Sequence, residues 1–405
     1  MRIAVYHNQP SGGARRGLHG FCRELARRHH LDMYALSTAD QEMLLDADVS
    51  PHVVQVDFAP APPVRFGLYW NDLIQRRNLS ALERVNATVA DRIDEGAYDV
   101  ALVDTDRFTF APYLLKYLRT PSVHYVHHRP RQRAERFCLP PASVYQRARR
   151  LWHLPVERWL ELSLWRTEVT LVRYATRVVT NSRFSQSRLR EIYEVEAAVV
   201  PYGVDLPLVF GVREGGYVLS VGELEVRKGF DFVLEAMARV PAKLRPPLHL
   251  IANGGNPDVR RRLEAQAVRL GVKLHIRVLP PQSELAAAYR NAEIFVYGAR
   301  EEALGIAPLE AMAHGIPVVA VGEGGVLETI THGQSGFLTA RDPVAFAGRI
   351  TELLSSPGLR AKMGAAGRLG VERGWTWDLR GRALEWELEQ AAGAGHPLEA
   401  GAATG

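Results

Sequence analysis

Two glutamates, Glu302 and Glu310, stand eight residues apart in a segment whose pattern predicts a strand, a glycine turn and a helix. The segment, residues 297–320, reads YGAREEALGIAPLEAMAHGIPVVA. An apolar strand run precedes it, Gly305 opens a turn, and Pro308 suits the first turn of a helix. The backbone N–H groups of such a helix start favour an anionic phosphate. One carboxylate before the helix and one a turn inside it could accept hydrogen bonds from sugar and ribose hydroxyls.

This segment resembles the E-x7-E motif of retaining glycosyltransferases of the GT-B fold, family 4. The resemblance implies that Glu302 contacts the donor sugar and that Glu310 contacts the nucleotide ribose. It places the donor diphosphate at the helix start formed by Gly305, Ile306 and Ala307. Two glutamates eight apart would by themselves equally fit two solvated helix carboxylates. The whole string favours the family.

A second segment, residues 221–229 (VGELEVRKG), resembles the family's strand-end sequence Gly-Arg-Leu-x-x-x-Lys-Gly. In the family, the arginine and the lysine of this sequence hold the leaving diphosphate. Lys228 matches the lysine, whereas Glu223 stands at the arginine position and reverses the charge. Arg227 could supply the missing cation, with a surface arginine as the alternative.

The first βα turn, residues 8–13 (NQPSGG), ends in Gly12 and Gly13, which let the backbone approach a ligand closely. The resemblance implies that these glycines face the donor diphosphate and the acceptor; a simple tight turn is the alternative. The turn lacks the G-x-G-x-x-G pattern, so dinucleotide binding has no support. The resemblance also implies that backbone groups near Val278, in the loop segment 256–282, hold the nucleobase.

His127 matches a histidine that ends a strand in the family, within residues 121–131 (PSVHYVHHRPR). A histidine there can bond the sugar or assist the reaction, and a structural histidine is the alternative. His124 has the opposite parity on the strand, so we do not expect the two to share a metal ion. Asp104 and Asp106 look like the Asp-x-Asp metal motif of a different glycosyltransferase fold. Because they end a parallel strand in the acceptor half, we expect ordinary strand-end carboxylates and no metal site.

These residues need a framework of alternating strands and helices, and the apolar pattern supplies one. Strands are predicted over 3–6, 100–103, 123–126 and 177–180, and the alternation restarts after the linker at 201–205. The second series is predicted over 217–221, 248–251, 274–276 and 294–296. The pattern indicates an α/β protein with two Rossmann-like αβα domains facing across a cleft. The resemblance implies that this is the GT-B fold.

The predicted domain limits follow from this restart. Residues 1–205 and 206–375 are predicted to form the two domains. The resemblance implies that the first is the acceptor-side domain and that the second binds the nucleotide sugar. By resemblance, a C-terminal helix over 376–390 packs back on the first domain. The Gly- and Ala-rich tail, 391–405, is predicted to be disordered.

Composition limits the partners. The chain of 405 residues has a formal net charge of +5, which fits attraction to phosphates and gives no indication of nucleic-acid binding. Cys22 and Cys138 form no disulfide framework or metal pattern, so a reducing cytoplasm is expected, with Cys22 in the core. No signal peptide or membrane-spanning run is recognisable, so any membrane contact is expected to be peripheral. One set of arginines and tryptophans has two explanations. It forms an anionic lipid interface or binds a polyprenyl-phosphate acceptor, or alternatively it is a solvated helix face with core tryptophans. The set is Arg129, Arg131, Arg133, Arg136, Arg147, Arg149, Arg150, Trp152, Trp159 and Trp165.

The resemblance implies a retaining glycosyltransferase that moves a sugar from a UDP- or GDP-linked donor to an acceptor hydroxyl. The acceptor is a glycan, a lipid-linked molecule or a small molecule, and front-face attack needs neither a metal ion nor another cofactor. Two alternatives stay open. One is a catalytically weak sugar-nucleotide-binding module, which Glu223 favours. The other is a GT-B phosphorylase with pyridoxal phosphate, which no segment specifically indicates.

Overall fold

The computed structural model describes residues 1–9, 12–40, 52–62, 68–127, 162–211 and 215–394. These residues form two compact units: the first runs to Val200 and resumes at Arg380, and the second is Pro201–Leu379. The division lies five residues before the limit predicted at 205. The last helix continues to Ala394, so the predicted disordered tail is wrong for residues 391–394. Residues 395–405 lie outside the described part.

The first unit is built on a parallel sheet of seven strands in the order β3-β2-β1-β4-β5-β6-β7. The strands are β1 (Arg2–Asn8), β2 (His30–Leu36), β3 (His52–Val56), β4 (Val100–Asp106), β5 (Ser122–Val126), β6 (Arg177–Thr180) and β7 (Ala198–Val199). The helices are α1 (Gly13–Ala26), α2 (Leu68–Glu95), α3 (Leu114–Tyr117), α4 (162–172) and α5 (Arg183–Tyr193). Helices cover both faces of such a sheet, which is why its central strands read as apolar runs.

The second unit has a parallel sheet of six strands in the order β10-β9-β8-β11-β12-β13. The strands are β8 (Val218–Val221), β9 (Leu248–Ala252), β10 (Leu274–Val278), β11 (Ile294–Tyr297), β12 (Val318–Val321) and β13 (Gly336–Thr339). The helices are α6 (Phe230–Arg239), α7 (Pro257–Leu270), α8 (Gln282–Asn291), α9 (Ile306–Ala313), α10 (Val326–Thr329), α11 (Pro343–Ser355) and α12 (Pro357–Gly374). A 3₁₀ turn (Val226–Lys228) follows β8.

Each sheet reverses its winding direction once. The reversal lies between β1 and β4 in the first sheet and between β8 and β11 in the second. In open parallel sheets the crevice at such a switch point, outside the carboxyl ends of the strands, is the preferred ligand site. The segments that follow these four strands are therefore the places to look for function.

Strands β1 and β4 are longer than predicted. The apolar runs end at Tyr6 and Val103, but both strands continue through polar residues that are fully buried: His7, Asn8, Asp104, Thr105 and Asp106. Polar groups are buried only where they find partners. The carboxyl ends of these two strands therefore hold a polar cluster that a hydrophobic pattern does not detect.

Residues 256–282, expected as a loop, contain helix α7. The Asn256 side chain caps the helix by accepting from the backbone N–H of Asp258 at 2.8 Å. Gly271 ends it in the left-handed region, with φ at 63°. Val259 and Leu263 bury its inner face. The apolar spacing and both end signals are present in the sequence, so helix α7 could have been predicted. The expectation of a loop over these residues is wrong.

The last helix, α13 (Trp377–Ala394), returns to the first unit. Leu384 and Leu388 on this helix are fully buried. Its Glu385 pairs with Arg28 at 2.8 Å, and its Glu387 pairs with Arg177 at 2.6 Å. The first unit therefore takes its final helix from the far end of the chain.

Candidate functional site

The turn after β8 and the loop after β11 meet at Glu302. Lys228 Nζ lies 2.7 Å from Glu302 Oε2, and Arg227 Nη1 lies 3.0 Å from the same oxygen. The Lys228 and Glu302 side chains are only 15% and 18% exposed, so water screens the contact weakly. One carboxylate thus holds two cations together at the switch point of the second sheet.

The backbone keeps the turn and the loop in register. The Arg300 N–H donates to the Arg227 carbonyl oxygen at 2.9 Å. Gly229, which follows the turn, has φ of 64°, and a Cβ there would overlap the carbonyl oxygen of Gly298. Only glycine allows both the left-handed conformation and this close approach.

Arg341, which lies beyond the end of β13, also holds the loop after β11 in place. Its guanidinium donates to the carbonyl oxygens of Gly298 and Ala299 at 2.8 and 2.9 Å. The same group makes a two-point pair with Glu323, at 2.9 and 2.7 Å. Sequence analysis missed both residues. Glu323 lies two residues beyond the end of β12, in a glycine-rich turn, and this position is the signal that could have indicated it.

Helix α9 begins where the sequence predicted. Gly305 is its N-cap with φ of 83°, and Ile306 and Ala307 are its first two residues. The first N–H groups of a helix have no acceptor inside the helix. The Glu302 backbone is held nearby, since the Gly325 N–H donates to its carbonyl oxygen at 2.9 Å. The predicted phosphate-binding helix start and Glu302 thus belong to one short segment.

Two buried tyrosines donate hydrogen bonds to the two predicted glutamates. Burial raises the pKa of Tyr297, and the Glu302 charge raises that pKa further, so the phenol stays a neutral donor to Glu302. Tyr289 Oη donates to Glu310 Oε2 at 2.7 Å. Sequence analysis missed both partners. Each predicted glutamate is therefore oriented by a tyrosine.

Glu223 interacts electrostatically with Lys228, Arg227 and Glu302, whereas Val278 lies on a more distant strand. Glu223 is exposed, and its pKa is raised by desolvation and by the neighbouring Glu225. Arg227 pairs with Glu225 at 3.6 Å as well as with Glu302. Val278 ends β10, which β9 and β8 separate from β11, and its side chain is 38% exposed.

In the first unit, His127 directly follows β5 and is buried. Its Nε2 pairs with Oδ1 of Asp104, and His7 Nδ1 lies 3.6 Å from the other oxygen, Oδ2. His124 does not join them; its Nδ1 donates to the Val103 carbonyl oxygen at 2.9 Å. The sequence analysis did not predict these contacts of Asp104 with two histidines. The contact was missed because it joins two adjacent strands that are distant in sequence.

Asp106 lies two residues beyond Asp104 in a different environment. It accepts from Asn8 Nδ2 at 2.7 Å and from Tyr6 Oη at 3.2 Å. Burial raises the pKa of Asp106 despite these hydrogen bonds. Gly12 caps α1 and Gly13 is the first residue of that helix.

Several further expectations concern other parts of the chain. Cys22 is fully buried, as predicted, and burial raises its pKa. Trp165 packs against the core of the first unit, whereas Cys138 and the rest of the arginine and tryptophan set lie outside the described residues. Within the described ranges, no three His, Cys, Asp or Glu side chains are grouped as metal ligands. None of the described helices is long and apolar enough to cross a membrane.

The two sheets and the residues at their switch points define a GT-B glycosyltransferase fold. The family model for glycosyltransferase family 4 matches residues 11–207, and that for glycosyl transferases group 1 matches residues 212–370. The chain therefore belongs to the family 4, group 1 glycosyltransferases of the GT-B fold, which confirms the resemblance.

Curated relatives agree with this assignment. The chain is 32% identical over 246 residues to a D-inositol 3-phosphate glycosyltransferase of Frankia alni, covering 54% of this chain and 59% of the relative. It is 31% identical over 253 residues to a GDP-mannose-dependent alpha-(1-6)-phosphatidylinositol monomannoside mannosyltransferase of Mycolicibacterium smegmatis, covering 56% and 65%. The matches thus span less than two thirds of these relatives.

Solved structures share the fold across nearly the whole chain. Anabaena HepE in complex with UDP and glucose superposes with a TM-score of 0.72 at 18% identity, covering 96% of this chain and 99% of that one. Sucrose-phosphate synthase from Thermosynechococcus elongatus gives 0.73 at 20% identity, covering 97% and 99%. At these identities the likeness establishes the fold.

Proposed function

We propose that this chain is a retaining glycosyltransferase that moves a sugar from a nucleotide diphosphate sugar to an acceptor hydroxyl. The observation that carries the proposal is the convergence of Lys228 and Arg227 on Glu302, in the segment that leads into helix α9. Two cations and a helix N-terminus suit a diphosphate, and a carboxylate beside them suits a sugar hydroxyl.

The proposed donor contacts divide among these groups. Lys228, Arg227 and the N–H groups of Gly305, Ile306 and Ala307 hold the diphosphate. Glu302 accepts from a hydroxyl of the donor sugar. In the same scheme Glu310 accepts from the ribose, backbone groups near Val278 hold the base, and Gly12 and Gly13 approach the diphosphate and the acceptor. His127 contacts the transferred sugar.

The proposed reaction is a front-face displacement. The bond between the anomeric carbon and the diphosphate oxygen breaks, and the acceptor oxygen forms its new bond on the same face, which retains the configuration. The departing diphosphate oxygen takes the acceptor proton. The cations and the helix start stabilise the negative charge that grows on the diphosphate, and their fixed positions make that stabilisation effective. No step requires a metal ion or another cofactor.

The names of two relatives and of one structural neighbour indicate classes of donor and acceptor for this proposal. One is named for GDP-mannose and a phosphatidylinositol mannoside, another for inositol 3-phosphate, and a structural neighbour holds UDP and glucose. We therefore propose a UDP- or GDP-linked hexose as donor. The acceptor is a small polyol, a glycan or a lipid-linked molecule. We keep a cytoplasmic location with peripheral membrane contact as a prediction.

A sugar-nucleotide-binding module with weak turnover is the second candidate. Glu223 favours it, because a carboxylate occupies the position where relatives of this family carry a cation. Binding without turnover of any donor in a panel of nucleotide sugars would support the module. Turnover with retention of anomeric configuration, measured by NMR of the product, would support the enzyme.

The decisive test compares kcat/KM of three variants with the parent. We expect Lys228→Ala to lose most and Arg227→Ala to lose clearly less, on the order of 1.5–3 kcal/mol for one charge-assisted contact. Glu223→Arg should leave donor affinity unchanged or improved. Arg260→Ala, at an exposed arginine of α7, is the matched control and should be silent. A neutral Arg227→Ala together with an inactive Glu223→Arg would contradict the assignment.

A second arm of this test concerns metal ions. Because protein cations face the diphosphate in this scheme, transfer should survive a chelator. Activity that disappears in chelator and returns with Mn²⁺ or Mg²⁺ would show that the metal-independent mechanism is wrong.

A further inference from the structure

The carboxyl end of β4 holds a buried charge that the proposed donor contacts do not use. Asp104 is fully buried, and each of its carboxylate oxygens faces an imidazole. Oδ1 pairs with His127 Nε2, and Oδ2 lies 3.6 Å from His7 Nδ1. All three side chains are at most 1% exposed. The cluster lies at the switch point of the first sheet, on the ends of β1, β4 and β5.

We propose that Asp104 is a positioning residue for His127, and that it fixes both the ring orientation and the proton on Nε2. The inference rests on the proposed function, because it gives His127 its sugar contact. A carboxylate only accepts hydrogen bonds, so the ring nitrogen that faces it must carry a proton. The neighbour of one imidazole nitrogen thereby decides the chemistry of the other.

The surroundings of His127 support this role. Asn181 Nδ2 donates to the His127 carbonyl oxygen at 2.9 Å, which holds the backbone. The Tyr125 ring lies 4.5 Å from the imidazole, centroid to centroid, which limits its rotation. Asp104 then determines which edge of the ring faces the carboxylate and which nitrogen carries a proton. The three groups together specify one orientation of one tautomer.

The state of the carboxylate agrees with this arrangement. Burial alone would raise the pKa of Asp104, but its interactions with His127 and His7 lower that pKa to about 2. Asp104 is therefore ionised at neutral pH. A buried carboxylate with its partners adds little net stability compared with apolar residues of similar size, so stability alone does not account for the cluster.

Asp106 provides a matched control within the same strand. It is equally buried, but its hydrogen bonds come from Asn8, Tyr6 and the backbone N–H of Phe108. Asp106→Asn removes the same charge from the same strand end without removing the partner of His127. A difference between Asp104→Asn and Asp106→Asn therefore isolates the imidazole contact.

The experiment measures transfer kinetics and the protonation of the ring. In protein labelled with ¹⁵N-histidine, long-range ¹H–¹⁵N spectra report which nitrogen of His127 carries a proton, with assignment by loss of the signal in His127→Ala. We expect protonated Nε2 in the parent and in Asp106→Asn, and an altered tautomer in Asp104→Asn. Asp104→Asn should lower kcat by up to about 100-fold with donor KM nearly unchanged. Asp106→Asn should change kcat less than about threefold, since it leaves the ring in place.

If Asp104→Asn does not fold, His7→Asn gives the second reading, with a smaller loss of kcat and an Nε2 proton in faster exchange. An unprotonated Nε2 in the parent overturns the inference, as does equal kcat in the two aspartate variants. A His127→Ala variant with parental activity contradicts the proposed sugar contact instead. If no donor is turned over, the proposed function fails, and the spectra of the parent and Asp104→Asn still decide whether Asp104 fixes the Nε2 proton.

Discussion

At the scale of single residues, Glu302 holds the two cations that a diphosphate would also bind. A bound diphosphate must compete with this carboxylate, whereas a donor sugar can use it. Glu302→Gln should therefore leave nucleoside diphosphate binding unchanged or tighter while kcat/KM for transfer falls by about 10- to 100-fold, the loss of one charged hydrogen bond. Calorimetry with the diphosphate and steady-state kinetics measure the two effects.

Glu310 should behave differently. Its proposed ribose contact exists in the nucleotide itself, so Glu310→Gln should weaken binding of the diphosphate and of the donor together. Tyr289→Phe is the control, since it removes the 2.7 Å hydrogen bond to Glu310 but keeps the carboxylate. A milder effect of the same kind is expected there. Parental transfer rates in both glutamate variants would contradict the site assignment.

Much of the second unit's site could be predicted from sequence. Lys228, Glu302 and Glu310 occupy family motifs, and the glycines around them mark turns that few other residues allow. Asp104 could not be predicted in the same way, because its partner His127 directly follows the adjacent strand β5 and the contact depends on strand order. The tyrosine partners were missed for a related reason, since Tyr289 lies one helix away from Glu310.

The same limit applies to the elements. Central strands such as β11 are continuous apolar runs, and their positions were predicted within a few residues. Strands β2 and β3 contain His30, Asp32 and His52 among their apolar residues, so the pattern gave no prediction there. Polar residues that continue a strand are recognised only when their hydrogen-bond partners are known.

At the scale of elements, Gly229 sets the distance between the 3₁₀ turn and β11. Alanine there combines left-handed strain, about 1 kcal/mol, with overlap against the Gly298 carbonyl oxygen, so Gly229→Ala should cost about 3 kcal/mol or more of the free energy of unfolding. Gly271 has φ of 63°, and an added Cβ would meet open space, so Gly271→Ala should cost only about 1 kcal/mol. Urea denaturation compares them, and equal losses would contradict the packing argument.

His124 gives strand β5 a predictable dependence on pH. Burial lowers its pKa to about 4, against an ordinary value near 6.5, and the bond to the Val103 carbonyl oxygen offsets burial only partly. Between these two pKa values, His124 is therefore neutral in the folded chain and protonated in the unfolded chain. The contribution of neutral His124 to the free energy of unfolding is fully present above pH 6.5. It is lost as pH falls towards 4, and the loss is about 3 kcal/mol in total.

His124→Asn keeps a donor near the Nδ1 position and removes the titration. The free energy of unfolding of this variant should therefore fall less between pH 6.5 and 4 than that of the parent. His332→Asn, at an exposed histidine, is the control and should keep the parental slope. Identical slopes in the parent and His124→Asn would show that the buried histidine does not determine this range.

At the scale of the whole molecule, the first unit is not continuous in sequence, because part of α13 belongs to it. The first unit ends at Val200 and is completed by residues from Arg380 onward, after the whole second unit. The connecting segments pair with each other, since the Val204 N–H donates to the Trp375 carbonyl oxygen at 2.8 Å. The first unit therefore cannot be finished until the second has been made.

A chain that ends at Leu379 keeps the second unit and removes the part of α13 that belongs to the first. It loses two fully buried leucines, Leu384 and Leu388, each worth about 1.5–3 kcal/mol of burial, and the ion pairs to Arg28 and Arg177. The first unit should therefore lose about 3–6 kcal/mol of its free energy of unfolding. Hydrogen exchange with mass spectrometry should show lower protection in β1, β4 and β5, with β9 and β11 unchanged.

A chain that ends at Ala394 is the control for this truncation, because it keeps all of α13 and removes only residues 395–405. Its exchange pattern should match that of the full chain in both sheets. Equal loss of protection in the two sheets of the shorter chain would mean that α13 stabilises the molecule as one cooperative unit. Unchanged protection in both sheets would mean that the buried leucines contribute far less than their burial implies, and the return of the helix would then have no part in holding the first unit together.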